Sequence, residues 1–531
     1  MSKRLQFALL ALMVVLGFGL RLHDISSVGF NEDEVHKVEA ARAYLGGNFL
    51  VNLEHPMLMK SLITLSVAAA DGWNRGKGHA HQIEEEAAVR LPNVVFGSLT
   101  AVVLFLVAQE FFGFGVGILS AFLWATGVFA IGINRIAKED TLLVFFTWLG
   151  YYLFSHAREL SKTDVAASER WYAASGASFG LMLASKYFPH YLGLIFLYAC
   201  LWGKMGDPIP RRWRNTWLVL GACALAFIIA DPIVLRPSTL MYMLHYAGEG
   251  TITHHGYLMM GHLHSEEPAH FQEGMPFYFY FLFLAIKTPL PVLAAVIVGL
   301  VEAWKRRGER GPFFVLFMFG FWIVPFSLLG AKWLRYMLSW MPAVYIIAAL
   351  GLISIIRWVS RSVTKTRRLW VPALVAMAAV VFLLQPAWVA FKSAPSCTLY
   401  LNPLGMGRTG YYFPHDEMND MGLREAIGQI GEDAPRGAMV GGATEPVFHY
   451  YFHRFGRDDL QYFDLADQSK RATAPPSAYL VVQEGRKYLE NIPYIGKVET
   501  YQMPVQIVQI GGADAVRVYR DEEFAELRMG Q

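Results

Sequence analysis

Apolar runs recur along the chain, each bounded by charges, prolines or glycines. They fall near residues 5–23, 90–110, 114–134, 140–158, 170–186, 188–203, 216–235, 277–302, 312–330, 335–356 and 369–390. Each is close to the roughly 17–25 residues that a helix needs to cross a bilayer. The pattern therefore predicts about eleven membrane helices. The run Leu62–Ala70 is short for a crossing, so 57–70 reads as an interfacial or re-entrant segment. No small-x-small cleavage pattern follows the first run before Arg21–Asp24, which predicts an uncleaved anchor. After residue 391 the apolar runs shorten and strand-like patches appear at Tyr479–Gln483, Val505–Ile510 and Ala515–Tyr519. The expected architecture is an all-α polytopic membrane part, residues 1–391, with long loops at 24–89 and 236–276. A small extracytoplasmic α+β domain, residues 392–531, is expected to follow it.

Composition agrees with the pattern. Of 531 residues, 54% are apolar and 17% charged, against about 25% charged in an ordinary soluble domain. A net charge of +3 is too small to point to nucleic acid. The cysteines, Cys200, Cys223 and Cys397, have no metal-type spacing and form no disulfide framework. Neither an internal repeat nor a low-complexity tract is evident.

Lysine and arginine set the orientation. The dense segments Lys3–Arg4, Arg158–Arg170, Lys204–Arg214, Lys305–Arg310 and Arg357–Arg368 share one side in an eleven-span arrangement, and that side is predicted to be cytoplasmic. The loops 24–89 and 236–276, the turn 134–139 and everything after 391 then lie outside.

Polar chemistry collects on the outer side. Asn31-Glu32-Asp33-Glu34 opens an amphipathic stretch and matches a helix-capping box. By itself the acidic pair is explained by a helix start. Glu54-His55-Pro56 and Lys60 follow in the same loop, and the next outer turn holds Arg135, Lys138, Glu139 and Asp140. Asp140 could simply cap its helix, and Arg135 and Lys138 could snorkel to the interface. Lys186, Lys332 and Arg335 run against the positive-inside trend and call for an anionic partner, either a carboxylate or a lipid phosphate. The loop 236–276 carries His245, His254, His255, His262, His264 and His270 with four glutamates. This composition admits a divalent metal, zinc or magnesium/manganese, with Glu54, His55 and His254 as candidate ligands. It equally admits solvated residues shaping an acceptor cleft, since no HExxH or comparable motif is present.

Taken in order along the chain, these pieces resemble the membrane glycosyltransferases of the GT-C fold, in particular the protein O-mannosyltransferase and aminoarabinose-transferase group. The matching residues are Asp33-Glu34, Glu54-His55-Pro56 with Lys60, Arg135 through Asp140, Ala184-Ser185-Lys186, Tyr278-Phe279-Tyr280 through Lys287-Thr288-Pro289, and Arg335-Tyr336 with Pro342. A softer likeness at Asn402-Pro403 and Asp416-Glu417 extends to the periplasmic domains of bacterial members.

The resemblance implies an enzyme of the bacterial inner membrane that takes a sugar from a polyprenyl-phosphate donor and passes it, with inversion, to an extracytoplasmic acceptor. That acceptor would be a protein hydroxyl, lipid A or another envelope glycan. Asp33 would be the base, Glu34 its neighbour and tuner, and Asp140 a group that binds sugar hydroxyls or orients a cation. Lys60, Arg135, Lys186 and Arg335 would hold the donor phosphate. No glycine-rich phosphate loop is present, which disfavours a nucleotide-sugar donor. The alternative from another class is a transporter or flippase of polyprenyl-linked glycans, which would carry charges along the membrane midplane rather than at one interface.

Overall fold

The computed structural model describes residues 2–78, 81–187, 191–194, 197–198, 201, 212–249, 256–265, 274–366, 370–475 and 477–520. Helices dominate up to residue 393. The first eight are α1 (Lys3–Leu22), α2 (Glu32–Leu45), α3 (Met57–Asn74), α4 (Glu85–Phe112), α5 (Phe114–Ala125), α6 (Val128–Asn134), α7 (Asp140–Leu160) and α8 (Val165–Ser185). Further helices run over Arg212–Ala230, Pro237–Glu249, Phe279–Lys287, Leu290–Lys305, Arg310–Leu328, Met341–Thr366 and Trp370–Ser393.

Among the described residues, five helices are long and apolar enough to cross a membrane, or six if α5 and α6 count as one bent span. Eleven were expected, and the difference has local causes. The run 277–302 breaks at Thr288-Pro289 into two shorter helices, because Pro289 lacks an amide donor and forces the residue before it out of helical geometry. The run 188–203 lies largely outside the described residues. The expected interfacial segment 57–70 is an 18-residue helix, α3, whose Met59, Lys60, Ile63 and Val67 are buried.

The bend of 56° between α5 and α6 frees carbonyls that lipid cannot satisfy. Arg21, fully buried on α1, satisfies them: its guanidinium donates to the Trp124 and Ala125 carbonyls at 3.1 and 3.3 Å and to Asn134 Oδ1 at 2.9 Å. Elsewhere, small residues bring helices together. A methyl at Gly299 would run into the Ile347 carbonyl, and one at Gly351 into that of Ala295. Leu290–Lys305 and Met341–Thr366 therefore pack backbone to backbone.

Helix ends of like chemistry gather. At one end of the bundle, Arg310 pairs with Glu110 at 3.7 Å and with Glu159, tying α4, α7 and Arg310–Leu328 together. The opposite end carries the C-terminus of α1, the N-termini of α2, α4 and α7, and the C-terminus of α8, and there the C-terminal region docks.

That region contains a five-stranded sheet. Its strands are β3 (Met439–Gly442), β4 (Gln461–Asp464), β5 (Tyr479–Gln483), β6 (Gln506–Ile510) and β7 (Ala513–Arg520), in the order β4-β3-β5-β7-β6. β3 lies parallel to β4 and β5, whereas β7 is antiparallel to both β5 and β6. The three expected strand patches are β5, β6 and the centre of β7. A hairpin of β1 (Tyr257–Met259) and β2 (His262–His264), together with β3 and β4, was not expected: these are strands of three or four residues, one ending in two glycines.

Ion pairs fasten the sheet region to the helices. Glu86, buried at the start of α4, receives Arg424 at 3.2 Å and Arg454 at 2.7 Å. The Tyr450 hydroxyl donates to Glu85 at 2.7 Å, and the Phe30 amide donates to the Tyr451 hydroxyl at 2.6 Å. The apolar core is continuous from the helices into Leu423, Ile427 and Val481.

Candidate active site

The capping box forms as the sequence predicts. The Asn31 side chain accepts the Glu34 amide at 3.1 Å, and Glu34 Oε2 accepts the Asn31 amide at 3.2 Å. Consecutive residues on a helix point in different directions, and Asp33 and Glu34 divide accordingly.

Glu34 turns inward. It is 1% exposed and takes a two-pronged bond from Arg90, at 2.7 and 2.8 Å, and the Ala137 amide at 2.9 Å. Arg90 also donates to the carbonyls of Ile25, Val28 and Gly29, each at 2.8 Å. Glu34 therefore fixes the entrance of α2 rather than standing beside Asp33 as its tuner.

Asp33 turns outward, 36% exposed, onto a cleft it shares with Lys138 and Arg335. The Lys138 ammonium contacts its Oδ2, and the Arg335 guanidinium lies 3.9 Å from the same oxygen. Burial and the adjacent Arg335 cation push the Lys138 pKa well below its usual value. Arg335 is 28% exposed and stacks over Trp333 and Tyr336 at 5.4 and 5.6 Å. Its Nε is buried without a hydrogen-bond partner among the described residues. Such a guanidinium is poised to receive an anion.

Asp140, at the first position of α7, is 2% exposed; its Oδ1 accepts from Lys186 at 2.9 Å, and its Oδ2 has no hydrogen-bond partner among the described residues. Lys186 ends α8 and lies 4.9 Å from the centre of the Tyr336 ring, which brings it beside the same turn that carries Arg335. The first-loop acid and the later cations thus meet at one end of the bundle.

Two of the expected phosphate cations are bonded to backbone carbonyls. Lys60 is buried and donates to the carbonyls of Val51, Asn52 and His55 at 3.2, 2.5 and 2.8 Å; it pins the loop before α3. Arg135 donates to the carbonyls of Arg21 at 3.1 Å, of Asp24 at 2.8 Å and of His23, closing the last turn of α1, whose final carbonyls otherwise lack partners. Arg135→Ala is expected to cost about 3 kcal/mol of stability, read as a lower Tm in detergent, while leaving the Kd for undecaprenyl phosphate unchanged. A tenfold weaker Kd at unchanged Tm would return Arg135 to the phosphate.

The expected metal ligands are also placed differently. Glu54 is bonded by Asn52 and approached by the Tyr242 hydroxyl at 3.5 Å, whereas His55 Nδ1 faces Glu139 at 3.5 Å. His254 lies outside the described residues. Among the described residues no three His, Cys, Asp or Glu side chains are grouped to share a metal ion.

Glu139 is fully buried and pairs with Lys37 at 2.7 Å, which forms the floor behind the site. Burial pushes the His55 pKa down to about 4 against the opposing pull of Glu139. The unfolded value is near 6.5, so between pH 6.5 and 4 the unfolded chain binds more protons and stability falls as pH drops. Thermal melts should show this loss over that window, and His55→Gln should flatten it; parallel pH profiles would remove His55 as the cause.

Sequence reasoning missed the far wall of the cleft. His415, Asp416, Asn419 and Arg486 line it, all from the C-terminal region. Asp416 accepts the Tyr257 hydroxyl at 2.5 Å, and burial raises its carboxyl pKa against the pull of Tyr257 and Arg335. Arg486 bridges Glu32 at 3.1 Å and Asp420 at 2.5 Å. Asp416-Glu417 was visible as a motif but without a role. Asn419 and Arg486 carry no local signal, since only the docking of distant segments brings them here.

Residues 80–235 match the family described as dolichyl-phosphate-mannose-protein mannosyltransferase. No curated protein matches the sequence. Among solved structures, ArnT from Cupriavidus metallidurans bound to undecaprenyl phosphate aligns over 99% of this chain and 99% of that chain, with a TM-score of 0.54 and 15% identity. The Archaeoglobus fulgidus oligosaccharyltransferase tethered with an acceptor peptide aligns over 98% of this chain and 74% of that chain, with a TM-score of 0.55 and 10% identity. The same organism's AglB, with an inhibitory peptide and a dolichol-phosphate, gives a TM-score of 0.53 at 10% identity, over 99% of this chain and 75% of that one.

The fold is that of the multi-pass GT-C membrane enzymes. The family match relates residues 80–235 to the O-mannosyltransferases, and the whole-chain likeness to ArnT and AglB shows a shared fold. The matched segment holds Arg135, Asp140 and Lys186; Asp33 and Arg335 lie outside it.

Proposed function

We propose that this enzyme transfers a sugar from a polyprenyl-phosphate donor to an acceptor hydroxyl or phosphate on the outer face of a bacterial inner membrane. The observation that carries this reading is the pairing, across one cleft, of the outward carboxylate of Asp33 with the under-bonded guanidinium of Arg335. A base and an anion receiver are the two groups that a glycosyl phosphate requires.

In the reaction, the acceptor oxygen attacks the anomeric carbon while the bond from that carbon to the phosphate oxygen breaks. For a hydroxyl acceptor the proton passes to Asp33, and polyprenyl phosphate leaves with the electron pair, stabilised by Arg335 and Lys186. One displacement inverts the anomeric centre. Without substrate, Asp33 and Arg335 stand only 3.9 Å apart, too close for a sugar between them, so the donor enters by separating this pair. Asp140 orients Lys186, and Glu34 and Arg135 set the backbone around the base; these three are positioning residues.

The orientation rests on charge. Arg310 and the Arg158–Arg170 segment mark the end of the bundle away from the cleft, which supports an outward-facing site. The C-terminal region, residues 392–531, is then an extracytoplasmic domain whose inner surface completes the cleft. The ligands named for ArnT and AglB, undecaprenyl phosphate and dolichol-phosphate, support a lipid phosphate as the common element.

Incubation of purified protein in detergent with a panel of undecaprenyl-phosphate sugars tests the reading. Release of undecaprenyl phosphate, with sugar on an added acceptor or on water, is expected for at least one donor. Binding with no bond cleavage across the panel would favour a flippase.

A further inference from the structure

Met418–Met421 form a tight turn, closed by the Met421 amide donating to the Met418 carbonyl at 2.8 Å. Its first central residue, Asn419, has φ 47° and ψ −119°. This is the conformation of a type II′ turn at the position that glycine dominates, because a Cβ there crowds the backbone. The chain nevertheless places a side chain at that position and holds it firmly. Gly485 packs against the turn so closely that a methyl there would lie 2.6 Å from both the amide nitrogen and the carbonyl oxygen of Asn419. On the other side, Asp420 accepts Arg486 at 2.8 and 2.5 Å, Gln483 at 2.8 Å and the Glu32 amide at 2.9 Å.

The strained residue faces open space. Asn419 and Asp416 border both the cleft with Asp33 and Arg335 and an adjoining cavity that reaches Glu34 and Arg90. The Asn419 backbone amide donates to the His415 carbonyl at 3.2 Å, whereas among the described residues its side-chain amide makes no hydrogen bond with the protein. Backbone strain retained around a side chain aimed at a binding space is explained when that side chain meets a ligand.

We propose that Asn419 and Asp416 form a subsite that reads the hydroxyls of the donor's sugar ring. An amide offers two donors and an acceptor, and a carboxylate offers acceptors. Neighbouring sugar hydroxyls, each donor and acceptor at once, match that set. The location fits as well: a phosphate held by Arg335 is one oxygen away from the anomeric carbon, so the ring falls against the wall that these two residues build. Selectivity among sugars then resides in the C-terminal region, outside the matched segment 80–235. This inference rests on the lipid-linked donor proposed above.

The test compares Kd values for undecaprenyl phosphate and for undecaprenyl phosphate bearing a hexose, a pentose or an aminopentose, using the full-length chain in detergent. The ratio of the two constants is the gain due to the sugar. Asn419→Gly relieves the turn, so its Tm should equal or exceed that of the wild type. The gain should nevertheless fall by about three- to tenfold, the worth of a hydrogen bond or so, with the Kd for bare undecaprenyl phosphate unchanged. Asp416→Asn, which preserves shape, should reduce the gain similarly.

Equal gains in wild type and both variants, or no gain in the wild type for any sugar, would overturn the subsite. So would variants that leave the gain intact and weaken only a soluble acceptor glycoside, because the hydroxyls read would then be the acceptor's. A wild type that fails to bind bare undecaprenyl phosphate would instead defeat the donor reading, and this inference with it.

Discussion

Asp33→Asn is expected to lower kcat for sugar transfer by about 10²–10⁴-fold, with Tm and undecaprenyl phosphate binding close to wild type. The substitution keeps the size of the side chain and its outward position, and it removes only the ability to accept a proton. The fold around it is held by other groups: the capping box uses Asn31 and Glu34, and Glu34 is anchored by Arg90. Lys138 loses its ionic partner, yet the carboxylate it contacts is partly solvated, so the structural cost is small. Rates of undecaprenyl phosphate release, measured beside melting curves in the same detergent, separate the two effects. Turnover within tenfold of wild type would remove Asp33 from the base role and leave Asp416 and Glu32 as the other carboxylates lining the cleft.

Arg335→Gln should reduce kcat/KM by about 10²–10³-fold, the usual loss when one donor to developing negative charge is removed. The departing phosphate gains charge as the bond to the sugar breaks. Arg335 is the cation best placed to receive it, because its Nε has no hydrogen-bond partner among the described residues and its side chain opens to the cleft. Lys186, by contrast, is already committed to buried Asp140. Arg335→Lys should recover only part of the loss, since an ammonium neither forms the planar fork nor stacks comparably on Trp333 and Tyr336. A Kd for undecaprenyl phosphate and a kcat both unchanged in Arg335→Gln would reassign the residue to packing.

Sequence alone revealed much of this geometry where the signal was local. Apolar runs marked the helices, and the Asn31–Glu34 box marked the start of α2. Cations at Lys186 and Arg335, against the topological trend, pointed to the end of the bundle where Asp140 and Asp33 are found beside them. What it could not tell was which charges are consumed by the backbone. Lys60 and Arg135 look like Lys186 and Arg335 in sequence, yet the first two are spent on carbonyls at helix and loop ends. That distinction depends on where chain reversals leave carbonyls without partners, a property of the packed bundle. Asp33 and Glu34 were likewise inseparable until the rotation of α2 sent one to Arg90 and the other to the cleft. The far wall, with Asn419 at a glycine-favoured turn position, arises from contacts between residues hundreds apart.

A structure determined with undecaprenyl phosphate bound is the sharpest test of the site. Phosphate density is expected within hydrogen-bonding distance of Arg335 and Lys186, with the Asp33–Arg335 pair parted to leave a sugar-sized gap. A phosphate seated instead by Arg236, at the separate cavity lined by Phe49 and Ile233, with Asp33 and Arg335 still paired, would contradict it.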